Sequence, residues 1–162
     1  MDNKKLLENM NEQYNFELES AYIYRAMAHW CEINDWNGYA NFLYKQEAEE
    51  IEHADKFKDY LLEVGYDVKL KAIGEPKSEY KDLEEIFKAA LEHEKIVTSR
   101  IRKLFDEARE IGDYASEDLL SWYITEQVEE EASFEAIVTR LERIDGSISG
   151  LYIFDGEMAQ RQ

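Results

Sequence analysis

Four stretches of helical character each carry a carboxylate or amide where an apolar residue belongs. They are Glu17, Glu50 with His53, Glu94, and Gln127 with Glu130. A buried charge costs several kcal/mol unless something pairs with it. Four such costs at similar depth in one bundle point to a bound cation. Glu50 and His53 lie three residues apart, so they share a helix face and can reach the same ion. A Glu-x-x-His pair projecting into a bundle core is the ligand pattern of di-iron carboxylate sites. Hard oxygen donors with one imidazole suit iron, and a carboxylate bridge tolerates the change from ferrous to ferric.

The elements that must position these residues are long helices. Their inner faces read Leu6, Met10, Gln13, Glu17, Ala21, Tyr24, Ala28 and Cys31 in a first helix over about residues 4–33. A second, over about 37–64, turns Tyr39, Phe42, Gln46, Glu50, His53, Phe57, Tyr60 and Val64 inward, with Gly65 as its C-terminal cap. A third, over about 82–111, has Asp82 as N-cap and Glu85 as its capping-box partner. It turns Ile86, Ala90, Glu94, Val97, Ile101, Leu104, Ala108 and Ile111 inward. A fourth, over about 114–144, buries Leu120, Tyr123, Gln127, Glu130, Phe134, Ile137, Leu141 and Ile144, and a short fifth follows over about 148–159. Residues 66–81 hold Gly74 and Pro76, lack helical period and are long for a connection. Extended, they reach roughly 50 Å, enough to run the length of a bundle. The second and third helices are then parallel, and at roughly 1.5 Å per residue Glu17, Glu50, Glu94 and Glu130 fall level.

The totals agree with an all-α bundle. The chain has 162 residues, one proline and seven glycines, which suits one helical domain over residues 1–162. Its net charge of -18 excludes nucleic acid as a natural partner and favours small cations. The 44% hydrophobic and 13% aromatic content argues against disorder. A lone cysteine, Cys31, fits a reducing cytoplasm. No stretch reaches the length of a signal core or a membrane span, so no membrane partner is expected.

With these residues in place, the whole chain resembles a prokaryotic non-haem ferritin. The helix lengths, the long crossover, the short fifth helix and the order Glu17, Glu50-x-x-His53, Glu94, Gln127-x-x-Glu130 carry the likeness. The run from Thr125 to Glu131 is its most distinctive local match. The resemblance implies a ferritin-like four-helix bundle that assembles into a hollow shell of about twenty-four subunits, closed assembly being the norm. It implies a ferroxidase that takes Fe(II) and dioxygen or peroxide as substrates and stores ferric mineral. By the same resemblance, Glu17, Glu50 and His53 should hold one iron, and Glu50 should bridge to another held by Glu94 and Glu130, with Gln127 nearby. A third iron site maps onto Glu49, Glu126 and Glu129, sharing Glu130. Tyr24 matches a tyrosine beside the iron ligands.

Some positions depart from related bundles. Rubrerythrins and bacterioferritins carry a second Glu-x-x-His on the fourth helix, where this chain reads Gln127-x-x-Glu130. The bacterioferritin haem ligand is a methionine just after the first motif glutamate. Here it is Ile51, so no haem is expected. The alternative function is a small di-iron bundle with rubrerythrin-like peroxide chemistry and no cage. Glu49, Glu52, Glu126 and Glu129 also fit an ordinary solvated face. His29 and His93 lie off the ligand pattern, and Trp30, Trp36 and Trp122 fit packing or interface roles. Tyr24 fits either a core tyrosine or a redox neighbour. The fifth helix shows an apolar stripe of Leu151, Phe154 and Met158, expected to pack around a symmetry axis.

Overall fold

The computed structural model describes residues 2–162. Five helices follow one another: α1 Lys4–Ile33, α2 Asn37–Glu63, α3 Leu83–Ile111, α4 Tyr114–Ile144 and α5 Ile148–Met158. α1 packs along α2 and α3 along α4, while α5 lies across one end against α2 and α4. The helix boundaries follow local chemistry. The Asp82 carboxylate accepts from Glu85 N at 2.8 Å and starts α3. Glu85 returns the favour to Lys81 N, one residue earlier than a standard capping box. Asp113 starts α4, accepting from Ser116 N at 3.2 Å and Ser116 Oγ at 2.9 Å. Between α3 and α4, Gly112 sits at φ +71, which a side chain would resist.

The crossover runs along α1 and is pinned there by two asparagines one turn apart. Asn11 Oδ1 accepts from Lys69 N at 2.9 Å and Asn15 Oδ1 from Lys71 N at 2.8 Å. Their amide nitrogens both donate to Lys69 O. The two side chains thus do for the extended chain what a neighbouring strand would do.

The apolar core is split in two. One cluster joins Tyr24 to Cys31, Tyr39 to Leu43, Leu83 to Leu91 and Phe134 to Leu141 with α5. The other joins Leu6 to Tyr14, Ala54 to Leu61, Val97 to Ala108 and Leu120 with Tyr123. The start of α2 and the start of α3 fall in the same cluster, so these helices run parallel, as the crossover length requires. Glu17, Glu50, His53, Glu94, Gln127 and Glu130 occupy the gap between the clusters, all buried. Large rings close the gap from both sides. Phe134 stacks on Tyr24 at 5.8 Å and Phe57 on Tyr123 at 4.2 Å.

Two expectations fail at helix ends. Val64 and Ile111 are exposed, because the bundle has no layer beyond them. The α5 stripe also needs correction. Phe154 and Met158 are buried against this chain's own bundle, and Leu151 is half-buried. The face left open carries Ile148, Tyr152 and Ile153 instead. Contacts to the start of α2 hold this rotation, and Tyr39 Oη donates to Leu151 O at 2.8 Å. Asp155 Oδ1 accepts from Gly38 N at 2.9 Å and Tyr39 N at 3.1 Å, so α5 supplies the N-terminal cap that Trp36 lacks.

Candidate metal centre

Two overlapping groups of ligand atoms meet in the polar gap. Glu17, Glu50 and His53 form one and Glu50, Glu94 and Glu130 the other, each with its atoms within 4.8 Å of one another. Glu50 belongs to both, so it is the residue that would bridge two bound ions. His53 Nδ1 lies 3.6 Å from Glu50 Oε2. His53 is wedged by Trp122, edge-on at 5.6 Å, and its own carbonyl accepts from Tyr123 Oη at 2.6 Å.

Amides hold the carboxylates by one oxygen each. Gln13 Nε2 donates to Glu17 Oε1 at 3.0 Å. Gln46 Nε2 donates to Glu50 Oε1 at 3.0 Å and to Glu130 Oε2 at 2.9 Å. Gln127 Nε2 donates to Glu94 Oε2 at 3.1 Å, and Tyr24 Oη donates to Glu94 Oε1 at 2.5 Å. Among the described residues, three buried side-chain oxygens have no partner: Glu17 Oε2, Glu50 Oε2 and Glu47 Oε2. Two of these three belong to the ligand groups. A buried unpartnered carboxylate oxygen is costly, and a cation removes that cost.

The electrostatics say the same. Burial, then the charge of Glu50, raises the Glu17 carboxyl well above the usual range. Burial, then the charge of Glu94, does so for Glu50. The Glu94 carboxyl is raised by burial against the pull of Tyr24 and Gln127. Burial, then Glu94 and Glu49, pushes Glu130 up to about 9. Clustered groups of this kind bind protons in place of a cation, so binding a metal releases protons.

The residues proposed for a further site are less gathered. Glu126 joins His53 and Glu130 in a third group of ligand atoms, with Glu126 Oε1 3.6 Å from His53 Nε2. Glu49 lies beside Glu130 but pairs with Arg161 Nη2 at 3.3 Å. Glu129 is exposed and enters none of the three groups. His93 is partly buried, held by Ser20 Oγ at 2.7 Å and stacked on Phe16, and burial pushes its pKa down to about 4. His29 is exposed. Trp30 and Trp36 pack against the core, Trp36 also against Tyr152 of α5, in keeping with structural roles.

This geometry has close counterparts. Residues 7–144 match the sequence profile of the ferritin family, described as a ferritin-like domain. The chain belongs to the ferritin family. It is 41% identical over 161 residues to the bacterial non-heme ferritin of Staphylococcus saprophyticus, covering 99% of this chain and 96% of that one. The bacterial non-heme ferritin of Staphylococcus haemolyticus is 40% identical over 161 residues, covering 99% and 97%. Among solved structures, the open pore ferritin of the hyperthermophilic archaeon Archaeoglobus fulgidus superposes with a TM-score of 0.98 at 39% identity, over the whole of both chains. Within this ferritin fold, reading inner faces located the ligand candidates and placed Gln13 and Gln46 inside. It missed what the two amides do, because their donor geometry depends on partners elsewhere in the chain.

Proposed function

We propose that this ferritin is an iron-storage subunit that oxidises Fe(II) within its own bundle and passes Fe(III) to a mineral inside a closed shell of about twenty-four copies. The observation that carries the reading is the pair of unpartnered oxygens, Glu17 Oε2 and Glu50 Oε2, buried in two ligand groups that share Glu50. One group offers two carboxylates and an imidazole, the other three carboxylates. Two ferrous ions held this close each give one electron. Together they reduce dioxygen to peroxide, which takes up two protons, or reduce peroxide to water. Raised carboxyls in the metal-free site mean that ferrous binding itself releases protons near the oxidant.

Gln127 contributes an amide where a second histidine would hold iron more firmly. This supports release of the oxidised ion rather than a permanent cofactor. Glu126, with His53 and Glu130, is the best-placed part of a third, weaker site, to which Glu49 and Glu129 lie near in sequence. No helix among the described residues is long and apolar enough to cross a membrane. The lone free cysteine, Cys31, supports a reducing cytoplasm as the place of the cage.

Stopped-flow oxidation of ferrous iron in air tests the reading. Glu50→Ala removes the shared ligand and His53→Ala the only nitrogen ligand. Each is expected to slow the fast phase at least tenfold, within the range for lost ligand support, while native mass stays at that of the parent shell. Parent-like rates in both variants sink the proposed centre.

A further inference from the structure

Two of the amides that touch the ligand carboxylates are each held from behind by an arginine. Arg100 Nε, on α3, donates to Gln13 Oε1 at 2.7 Å. Arg161 Nη2, just beyond α5, donates to Gln46 Oε1 at 3.0 Å. A guanidinium can only donate. Each glutamine must therefore turn its carbonyl oxygen to the arginine and its NH2 to the carboxylate. Gln13 then meets Glu17 Oε1, and Gln46 meets Glu50 Oε1 and Glu130 Oε2.

The two relays share a construction. Each glutamine precedes its glutamate by four residues, one helical turn. Each guanidinium lies over a phenylalanine ring of the same helix as its glutamine, Arg100 over Phe16 at 4.0 Å and Arg161 over Phe42 at 4.1 Å. Arg161 is fixed further by Nη1 on Phe42 O at 3.0 Å and by its ion pair with Glu49. Asn41 Nδ2 holds the tail, donating to Met158 O, Ala159 O and Arg161 O. The outcome is also shared. The amide takes Oε1 of Glu17 and of Glu50, and Oε2 of each is the buried oxygen left without a partner.

We propose that Arg100 and Arg161 are positioning residues of the metal centre, which lock the Gln13 and Gln46 amides so that Glu17 and Glu50 each present one oxygen to the metal. A direct arginine–carboxylate pair would occupy the oxygens the metal needs. The interposed amide transmits orientation while the cationic charge stays off Glu17 and Glu50. The inference rests on reading the two ligand groups as a di-metal centre. It adds that the C-terminal tail of the chain is part of that centre's support.

Cobalt(II) titration of the assembled protein without oxygen tests it, because cobalt reports binding by visible absorption and undergoes no turnover there. Arg161→Met and Arg100→Met keep the apolar stem on its phenylalanine and remove the donors. Each is expected to weaken cobalt binding about tenfold, the usual scale for a group that orients a metal ligand. Lysine at either position supplies one donor to the same amide oxygen and is expected to recover most of the loss. In a Gln46→Leu background, Arg161→Met is expected to add nothing, since the amide it orients is gone. Methionine variants within twofold of the parent overturn the proposal. So do lysine variants no better than methionine, or an equal loss in the Gln46→Leu background. If a methionine variant fails to assemble, the lysine variant is compared with the parent in the presence and absence of Gln46, and an equal loss in both again overturns it. A parent protein that binds fewer than two cobalt ions per subunit refutes the di-metal reading itself, a result separate from indifferent arginine variants.

Discussion

Tyr24 and Glu94, 70 positions apart, are joined by a 2.5 Å hydrogen bond in the buried gap between the two halves of the core. The phenol donates, and Gln127 donates to the other oxygen, so both oxygens of Glu94, a candidate ligand, are tied. Tyr24→Phe leaves Glu94 Oε1 buried without its donor. The expected cost to the metal-free protein is about 1–3 kcal/mol, read as a lower midpoint in urea unfolding. Ferrous oxidation is expected to slow as Glu94 loses its fixed orientation. An unchanged midpoint would mean that water or another group replaces the phenol at no cost.

The carboxylate cluster makes a prediction about pH with a definite sign. Glu17, Glu50, Glu94 and Glu130 all have carboxyls raised in the folded chain, Glu130 to about 9. Between the ordinary carboxylate range and about 9 the folded metal-free protein therefore holds more protons than the unfolded chain. Stability is then fully present below the unfolded value and is lost as pH rises through the folded one. The thermal unfolding midpoint of the metal-free protein is expected to fall from about pH 5 towards pH 9. Zinc at saturating concentration should flatten the trend, because it replaces the protons. Glu50→Gln removes the need to take up a proton there on folding, so above the ordinary carboxylate range it is expected to stabilise the metal-free fold by about 0.5–2 kcal/mol while weakening metal binding. A metal-free protein that grows more stable over that range would contradict the assignment.

How much of this was legible beforehand follows from where each signal resides. Glu17, Glu50, His53, Glu94, Gln127 and Glu130 betray themselves by interrupting apolar faces, a property of spacing along one helix. Gln13 and Gln46 interrupt the same faces, and their burial could be read in the same way. Their orientation could not, because it is imposed by Arg100 and Arg161, two charged residues that look like ordinary surface groups in the chain. Asn11 and Asn15 were hidden for a similar reason. Their partners are backbone atoms of the crossover, whose path no periodicity describes. The face that α5 turns to the bundle depends on partners far away in the chain, Asp155 on the first turn of α2 and Leu151 O on Tyr39 Oη. An apolar stripe on an 11-residue helix does not say which neighbour covers it.

That α5 contact can be broken at one atom. A Cβ on Gly38 would stand 1.8 Å from Asp155 O, a backbone atom that cannot swing aside. Gly38→Ala is expected to push α5 off the end of the bundle, expose Phe154 and Met158, and unseat the tail that carries Arg161. Hydrogen exchange should rise across residues 148–162 while α1, α3 and the middle of α4 stay protected. Protection of α5 equal to the parent's would show that the helix docks without this close approach.

The proposed third cation site gives the sharpest division between neighbouring carboxylates. His53 turns Nδ1 towards Glu50 and Nε2 towards Glu126, both at 3.6 Å, so its ring stands between these two carboxylates. Glu126 shares a ligand group with His53 and Glu130, whereas Glu129 is exposed and Glu49 is engaged by Arg161. An oxygen-rich group at this edge suits ferric iron better than softer ions. Iron-soaked crystals of the parent are expected to show the central pair of anomalous peaks and a weaker peak near Glu126. Glu126→Ala is expected to remove the weaker peak and leave the pair. Glu129→Ala, taking away a carboxylate outside the group, is expected to leave all of them. Glu49→Ala frees Arg161 from its ion pair and should move the weak peak's occupancy by far less than Glu126→Ala. If Glu129→Ala abolishes the peak and Glu126→Ala does not, the third iron sits on the outer face of α4 and the group around Glu126 only orients His53.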